Sequence, residues 1–268
     1  MNGAVQSGFT DITWTGLAWT ALLVFIALAL SWWQRLALEK QLLIGCLRTI
    51  VQLILIGYVL AWIIGSADWR LVLAASVLQL AAAAWTVGSL MQRPLPGARL
   101  IALVSLLPAY LLVLAVLLFL VIAHHPWWDP RLVLPIGGML LGNSLTGVAL
   151  ALNRFRADLR SQRELVLARL ALGTTWHTAV RELRQDAAHA AMLPTISALL
   201  TVGLVALPGM MTGQIIAGID PVAAVKYQIA VMFMLAAVVA LSAAIAITLF
   251  ARRQRFDAEP TQTPEPAT

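Results

Sequence analysis

Long apolar runs alternate with short polar connections along almost the whole chain. Seven runs are long enough to cross a bilayer as helices, because about 20 apolar residues span its hydrocarbon core. They cover residues 14–33, 42–64, 69–91, 100–123, 132–152, 195–219 and 227–250. Tryptophans lie near many run ends, as in the aromatic belts at membrane surfaces. The pattern predicts an all-α, polytopic membrane protein with about seven transmembrane helices.

The sixth run is interrupted. Its uninterrupted part, Thr195 to Leu207, has 13 residues and is too short to cross alone. Proline removes a backbone donor and glycine loosens the backbone, so a helix break is expected at Pro208-Gly209. Irregular backbone at membrane depth is tolerated where it is buried in protein or lines a wet cavity, so the interruption indicates a transport pathway. The alternative is a helix that ends at the membrane surface, followed by a glycine-rich turn.

Composition and charge agree with a membrane location and predict an orientation. The chain has 268 residues, 61% hydrophobic and 11% charged, with a mean hydropathy of +0.87. Of its 18 lysines and arginines, 14 lie in alternate connections and in the segment after the last run. Basic residues concentrate on the cytoplasmic side, so the N-terminus is expected outside and the C-terminus in the cytoplasm of a cell (inner) membrane. The net charge of +6 therefore reflects topology, and no nucleic-acid partner is expected.

One connection, residues 153–193, is long and falls on the predicted cytoplasmic side. Apolar residues recur there at helical spacing, and Gly173 separates two helical pieces. Such a helix can lie on lipid, pack under the bundle or dock a partner. The apolar positions of this helical pattern are Leu165, Ala168, Leu172, Trp176, Ala179, Leu183 and Ala187.

We interpret residues 1–256 as one membrane domain that includes this loop, and residues 257–268 as a disordered tail.

The chain carries no recognisable nucleotide-binding or hydrolytic motif. No GxxxxGK[ST] pattern occurs, and the only lysines are Lys40 and Lys226. ATP, if it provides the energy, must therefore be hydrolysed by a partner polypeptide. No nucleophile–base pair or HExxH occurs either, so the chain is not expected to be an enzyme. The one cysteine, Cys46, lies in an apolar run and can form no intrachain disulfide.

Polar side chains within the runs are candidates for a pathway, because such groups usually face the bundle interior or a cavity. Asn143, Ser144 and Thr146 lie in the fifth run, with Gln214 after the break in the sixth. Two GxxxG pairs, at 138/142 and 209/213, are more readily explained by close helix packing. Arg48 and Gln52 are four residues apart in the second run and share one helical face, although Arg48 can also snorkel to the interface.

Two groups of residues could bind metal. Met139, Met210 and Met211 offer soft thioethers, which suit Cu(I) better than iron, but methionines more often fill gaps in a bundle. His124, His125 and Asp129 could form a weak divalent site in an external connection, although polar residues beside an aromatic belt are the ordinary interpretation. The sequence leaves both questions open.

Several segments together resemble the FetB-type iron-export ABC permease family, which also includes plant permeases linked to aluminium tolerance. The similarity begins in the second run, with Arg48 and Gln52, and continues to about Met234. The segments that carry it are Trp127-Trp-Asp-Pro-Arg131, Pro135-Ile-Gly-Gly-Met-Leu-Leu-Gly-Asn143, Leu170-Ala-Leu-Gly-Thr174, Val202-Gly-Leu-Val-Ala-Leu-Pro-Gly-Met-Met-Thr-Gly213 and Ala217-Gly-Ile-Asp-Pro-Val222.

The resemblance implies a permease subunit, present as two copies, that pairs with a separate cytosolic ATPase carrying ATP and Mg²⁺. It implies that Leu170–Gly173 transmits ATPase closure to the spans and that the cargo is iron or an iron-linked solute. On this reading the ATPase-coupling residues are Leu165, Leu170, Leu172, Gly173, Trp176 and Leu183. The pathway residues are Arg48, Gln52, Met139, Asn143, Ser144, Thr146, Pro208, Gly209, Met210, Met211, Thr212 and Gln214.

Three alternatives remain open at this point. Plant members of the family are associated with a nucleotide sugar, and an organic anion or a chelated metal suits Arg48 better than bare Fe²⁺. A secondary transporter would need titratable groups in the spans, and none lies clearly mid-span. A membrane scaffold or sensor would use the long loop to recruit a regulator and would move no solute.

Overall fold

The computed structural model describes residues 14–35, 39–66, 68–91, 97–121 and 126–258. These ranges are almost entirely helical, which confirms the predicted all-α class. The helices are α1 (Trp14–Trp33), α2 (Glu39–Ser66), α3 (Trp69–Leu90), α4 (Ala98–Val116, continued by a π-helical turn, Leu117–Val121), α5 (Pro130–Ser161), α6 (Arg163–Ala171), α7 (Trp176–Ala179), α8 (Arg181–Thr201), α9 (Gly209–Ile216) and α10 (Pro221–Ala258).

Five described helices are long and apolar enough to cross a membrane: α2, α3, α4, α5 and α10. A shorter apolar helix lies within α1, over residues 19–33. The chain is thus a multi-pass membrane protein. The helices α5 and α10, of 32 and 38 residues, are longer than a span requires and continue beyond the apolar runs from which they were predicted.

The core lies around α5, which packs against α3, α8 and α10, while α4 packs against α3 and α10. Two glycines of α5 allow these close contacts. A Cβ at Gly137 would lie 2.7 Å from the hydroxyl of Tyr110, and one at Gly147 would lie 2.7 Å from Cγ1 of Val239. Further along, Phe155 of α5 meets Phe250 of α10 edge to face, with ring centroids 5.6 Å apart. The large residues therefore fill one continuous interface between α5 and α10.

The helix α2 is the least packed of the long helices. Val59, Leu60 and Ile63 contact the core near its C-terminal end. The described side chains from Leu42 to Tyr58 are exposed, apart from half-buried Cys46. Most of this apolar helix therefore has few neighbours among the described residues.

Several arginine-rich segments meet at one end of the bundle, here called the basic end. The Trp176 indole donates a hydrogen bond to the carbonyl of Ala251, and Arg253 packs against Gly97 at the start of α4. The C-terminal ends of α3, α5 and α10 lie here with the N-terminal ends of α4 and α8. Connections that are separate in sequence thus lie on one side of the molecule.

The segment 153–193 is mostly a continuation of its flanking helices. The helix α5 continues to Ser161 and α8 begins at Arg181, so α6, α7 and short turns form the whole connection. The two short helices and the turn between them, residues 163–180, are called the hairpin below. The tail predicted over residues 257–268 begins within α10, which continues to Ala258. Residues 259–268 and the histidines 124 and 125 lie outside the described residues.

Candidate transport pathway and coupling surface

One side of α5 remains open in the isolated chain. Asn143 and Thr146 are exposed, next to exposed Gly142 and half-buried Met139. The Asn143 amide donates to the carbonyl of Met139 at 2.8 Å, and the Thr146 hydroxyl donates to that of Gly142 at 3.1 Å. These four residues, spaced three or four apart, form the open face of α5.

Ser144 does not belong to the open face of α5. It is fully buried, and its hydroxyl donates to the carbonyl of Leu140 at 2.7 Å. The sequence grouped it with Asn143 and Thr146 because all three are polar. Consecutive helix residues point about 100° apart, so the fold places Ser144 in the core and its neighbour Asn143 outside.

Among the described residues, the GxxxG pairs make little close helix contact within the chain. No heavy atom lies within 4 Å of a Cβ built at Gly142, Gly209 or Gly213, and only the Gln79 amide, at 3.7 Å, approaches one built at Gly138. The glycines at which α5 packs closely are Gly137 and Gly147. An open GxxxG pair is a surface on which a second helix can pack.

Arg48 and Gln52 lie on the unpacked part of α2, and both side chains are exposed. No hydrogen bond or ion pair of Arg48 occurs within the described residues. The fold does not bring this pair into contact with the open face of α5. A guanidinium here needs the membrane interface, water or another protein surface as its surroundings.

The interruption of the sixth run occurs earlier than predicted. The helix α8 passes through Pro194 and ends at Thr201, and Gly203 follows with a φ of +85°. A left-handed glycine just beyond a helix end is the usual C-terminal stop, so Gly203 was the sequence signal for this break. The carbonyl of Thr201 then accepts hydrogen bonds from the amides of Leu204, Val205 and Ala206.

Pro208 begins a helix rather than ending one. It is the N-cap of α9, where its fixed φ of −63° is suited to a helix start. The helix α9 has eight residues, or roughly 12 Å, so it cannot cross a bilayer. The break predicted at Pro208-Gly209 is therefore wrong in position, while an interruption between the two helical pieces is present.

The remaining residues of α9 have different surroundings. Met211 is buried, and Met210 is half-buried against the core. Thr212 donates to the carbonyl of Pro208 at 3.1 Å. The side-chain oxygen of Gln214 is buried and accepts no hydrogen bond. An unpaired amide oxygen inside a membrane bundle requires a water molecule or a ligand group for its hydrogen bond.

Two other glutamines with buried side-chain oxygens were not among the pathway residues predicted from the sequence. Gln79 of α3 donates to the carbonyl of Leu134 on α5 at 3.3 Å, and its own oxygen is buried without a partner. Gln228 of α10 is 5% exposed, also with an unpaired oxygen. A glutamine inside a long apolar run was the available signal for both.

The described residues contain no group of three or more His, Cys, Asp and Glu side chains placed to hold a metal ion. Asp129, the described member of the suggested external site, caps α5 by accepting from the backbone amide of Arg131 at 2.9 Å. Of the three methionines, Met211 is buried in the core, whereas Met139 and Met210 are half-buried against it.

The hairpin has a defined turn. Gly173 adopts a φ of +84°, and Thr174 donates to the carbonyl of Arg169 at 2.6 Å. Thr175 caps α7 by accepting from the amide of Thr178 at 3.4 Å. Leu172, immediately before the glycine, is 85% exposed. The predicted division of the loop at Gly173 is confirmed, and the turn presents a leucine at its tip.

The predicted apolar stripe, which runs from the hairpin into α8, has a buried half and an exposed half. Trp176 is 7% exposed and Leu183 is fully buried, whereas Leu165 and Leu172 are exposed and Leu170 is half-buried. Trp176 and Leu183 belong to the core of this chain and are not available to a partner. The surface offered for docking is therefore reduced to the exposed residues between Leu165 and Thr175.

Comparisons with known proteins show that the chain matches one protein family. A family model described as "Uncharacterised protein family (UPF0014)" matches residues 14–256. The probable iron export permease protein FetB of Escherichia coli is 37% identical over 221 residues, which cover 82% of this chain and 84% of that protein. No solved structure matches the chain.

Two plant relatives are also similar. The membrane protein STAR2 of rice is 36% identical, covering 78% of this chain and 72% of its own length. The protein ALUMINUM SENSITIVE 3 of Arabidopsis thaliana is 32% identical, covering 79% and 76%. These matches confirm the resemblance drawn from the sequence segments.

Proposed function

Since the chain belongs to the UPF0014 family of membrane proteins, we propose that it is the permease subunit of an ABC transporter that exports iron or an iron-linked solute. The observation that carries this proposal is the 37% identity, over most of both chains, to a relative named as a probable iron export permease. The proposal includes a separate cytosolic ATPase, because the chain has no P-loop.

The hairpin supports the ATPase pairing. Its tip exposes Leu172 beside the left-handed Gly173, while Trp176 ties its other half to the C-terminal end of α10. Arg169 stiffens it further, donating to the carbonyl of Ala179 at 3.2 Å and to Glu182 at 2.8 Å. A rigid element of this kind can transmit a push at its exposed tip to α10. We therefore assign the coupling role to Leu172 and its exposed neighbours.

A homodimer is supported by what the single chain leaves uncovered. The open face of α5, the glycines of α9 and most of α2 have few protein neighbours. In the proposed assembly, the open face of α5 and the N-terminal part of α9 border a shared pathway, and Arg48 and Gln52 face it from α2. The unpaired oxygen of Gln214 is a further polar group of this pathway.

We propose seven crossings, with the N-terminus outside. The helix α1 and the interrupted α8–α9 segment add two crossings to the five long apolar helices. An odd number of crossings places the basic end, with the hairpin and the end of α10, in the cytoplasm as the positive-inside rule requires. A single cysteine placed at Ser161 tests whether the basic end is cytoplasmic. In sealed cells, a cytoplasmic cysteine is protected from an impermeant labelling reagent until lysis.

The form of the cargo is a separate proposal. The described residues hold no cluster of carboxylates or imidazoles fit for bare Fe²⁺, whereas Arg48 is exposed and without a partner on an apolar helix. Guanidinium groups bind carboxylates and phosphates strongly. These observations favour a complexed iron, and they make an organic anion or nucleotide sugar the second candidate.

The deciding experiment is transport by the permease reconstituted in vesicles with its ATPase. ATP hydrolysis and iron movement are measured with Fe²⁺ alone, with an iron chelate, and without iron. Stimulated hydrolysis, with iron moving away from the ATPase side, is expected. If a tight complex forms but neither Fe²⁺ nor the iron chelate stimulates its ATP hydrolysis or is moved, the ABC architecture would be retained and iron would be excluded as the cargo. Failure to form any complex would contradict the ABC assignment.

Two neighbouring residues of α5 provide a matched test of the pathway. Asn143→Ala removes an amide from the open face of α5 and should lower the export rate with little change in stability. Ser144→Ala is the control, because its buried hydroxyl bonds only to its own helix and should leave export unchanged. Equal export by both variants would contradict the assignment of this face.

A further inference from the structure

A groove between α8 and α10 opens at the basic end of the bundle. It encloses about 260 Å³. Arg181 and Arg184 lie at one end of it, and Ala188, Ala244 and Ile247 form its apolar wall. The groove is distinct from the open face of α5 and from the hairpin tip. It therefore needs its own explanation.

The depth of the groove follows from its contacts. The Arg184 guanidinium donates to the hydroxyl of Thr248 at 3.1 Å, which aligns the two helices. Exposed Arg252 lies four residues later, or roughly 6 Å further along α10. Ala244 lies one turn before Thr248, within the long apolar part of α10. The groove thus runs from the two arginines of α8 to apolar residues of α10.

The two arginines lack an anionic partner. Arg181 is exposed and has no hydrogen bond or ion pair within the described residues. The one described contact of Arg184 is the neutral hydroxyl of Thr248. Two acidic residues are close in sequence: Glu182 is bound by Arg169 of the hairpin at 2.8 Å, and exposed Asp186 makes no ion pair with either arginine within the described residues. Two positive charges therefore lie together at the mouth of an apolar groove.

We propose that this groove binds an anionic phospholipid, with the headgroup phosphate on Arg181 and Arg184 and an acyl chain along Ala188 and Ala244. Guanidinium groups pair with phosphate through paired hydrogen bonds. Basic pockets between transmembrane helices on the cytoplasmic side are suited to acidic lipid headgroups. A carboxylate from a protein partner would satisfy the arginines, but it would leave the alanine-lined wall at membrane depth uncovered. A phospholipid satisfies both parts of the groove.

The test compares lipid binding by the full-length permease, purified in detergent, using native mass spectrometry. Phosphatidylglycerol and phosphatidylcholine with identical acyl chains are the probes. The preference for phosphatidylglycerol should fall roughly tenfold or more in R181Q/R184Q, since both guanidinium groups that pair with the headgroup phosphate are removed. The control R160Q/R163Q makes the same charge change at exposed arginines outside the groove and should retain the preference.

Two further arms separate a lipid from other occupants. Ala244→Leu fills the apolar wall and should weaken binding of both lipids while leaving the arginines in place. Glycerol 3-phosphate carries the same anion without acyl chains and should not compete at concentrations that match the lipid. Competition by glycerol 3-phosphate would identify a free-anion site and overturn the proposal. An unchanged preference in R181Q/R184Q would also overturn the proposal. Loss of the ATPase from that variant would then indicate a protein contact.

Discussion

The two halves of the hairpin stripe are similar in sequence and opposite in surroundings. Trp176 and Leu183 are buried, and the Trp176 indole reaches the end of α10 at 2.9 Å. Leu172 lies one helical turn from Trp176 in sequence and is 85% exposed. A helical repeat of apolar residues thus indicates burial only when a neighbouring helix is present along its full length. The buried half serves the fold, and the exposed half is available to a partner.

The largest effect is expected from Trp176→Ala. This change removes a large buried side chain and its hydrogen bond to α10, and it should destabilise the chain by about 3–5 kcal/mol. The melting temperature and the yield of folded permease in detergent measure the loss. Trp176→Phe keeps most of the volume and loses only the indole hydrogen bond, so it should cost about 0.5–1.5 kcal/mol. The carbonyl of Ala251 retains its hydrogen bond within α10. A wild-type melting temperature for Trp176→Ala would mean that the hairpin is not anchored there.

The contrast between a packed and an unpacked position also occurs among the glycines of α5. Gly147→Ala places a Cβ 2.7 Å from Cγ1 of Val239 and should cost about 1–3 kcal/mol by overpacking. The control Gly142→Ala meets no atom within 4 Å, so better helix propensity should offset any loss. The melting temperatures of the two variants, measured in the same detergent, show whether only Gly147→Ala is destabilised. Equal destabilisation would show that the open face of α5 is also packed.

A smaller effect is expected from Arg169→Gln. Arg169 joins the two halves of the hairpin through Ala179 and Glu182, and its side chain is 29% exposed. Because the ion pair is partly solvated, its loss should cost about 0.2–1 kcal/mol. Hydrogen exchange of the amides in residues 163–180 should become faster. Arg163→Gln is the control: Arg163 is exposed and makes no hydrogen bond or ion pair within the described chain.

The smallest change in stability is expected from Leu172→Asp, within about 0.5 kcal/mol, because the side chain is already solvated. Its predicted effect is on assembly: co-purification of the ATPase with the permease should be lost. Leu204→Asp is the matched control, since Leu204 is 91% exposed but follows the other end of α8. Retention of the ATPase by Leu172→Asp would exclude the hairpin tip as the docking point.

The sequence predicted the individual helices better than it predicted their partners. Runs of about 20 apolar residues can satisfy their backbone in a bilayer only as helices, so the existence of the long helices was predictable although some of their ends were not. Pro208 was misinterpreted because a proline can end one helix or start the next. Gly203, five residues earlier, carried the stop signal. The GxxxG spacing was similarly ambiguous, because it fits a contact within the chain or one with another chain.

The sequence by itself determined that this protein is helical, spans a membrane several times and belongs to the UPF0014 family, because these properties depend on local composition and on motifs in order. Only the tertiary structure decided that Trp176 is buried and Leu172 exposed, that Ser144 faces inward and Asn143 outward, and that Arg181 and Arg184 border a groove beside Ala244. These outcomes depend on how distant helices cross. Side chains of the same chemical type therefore acquire different roles from their neighbours rather than from their own segments.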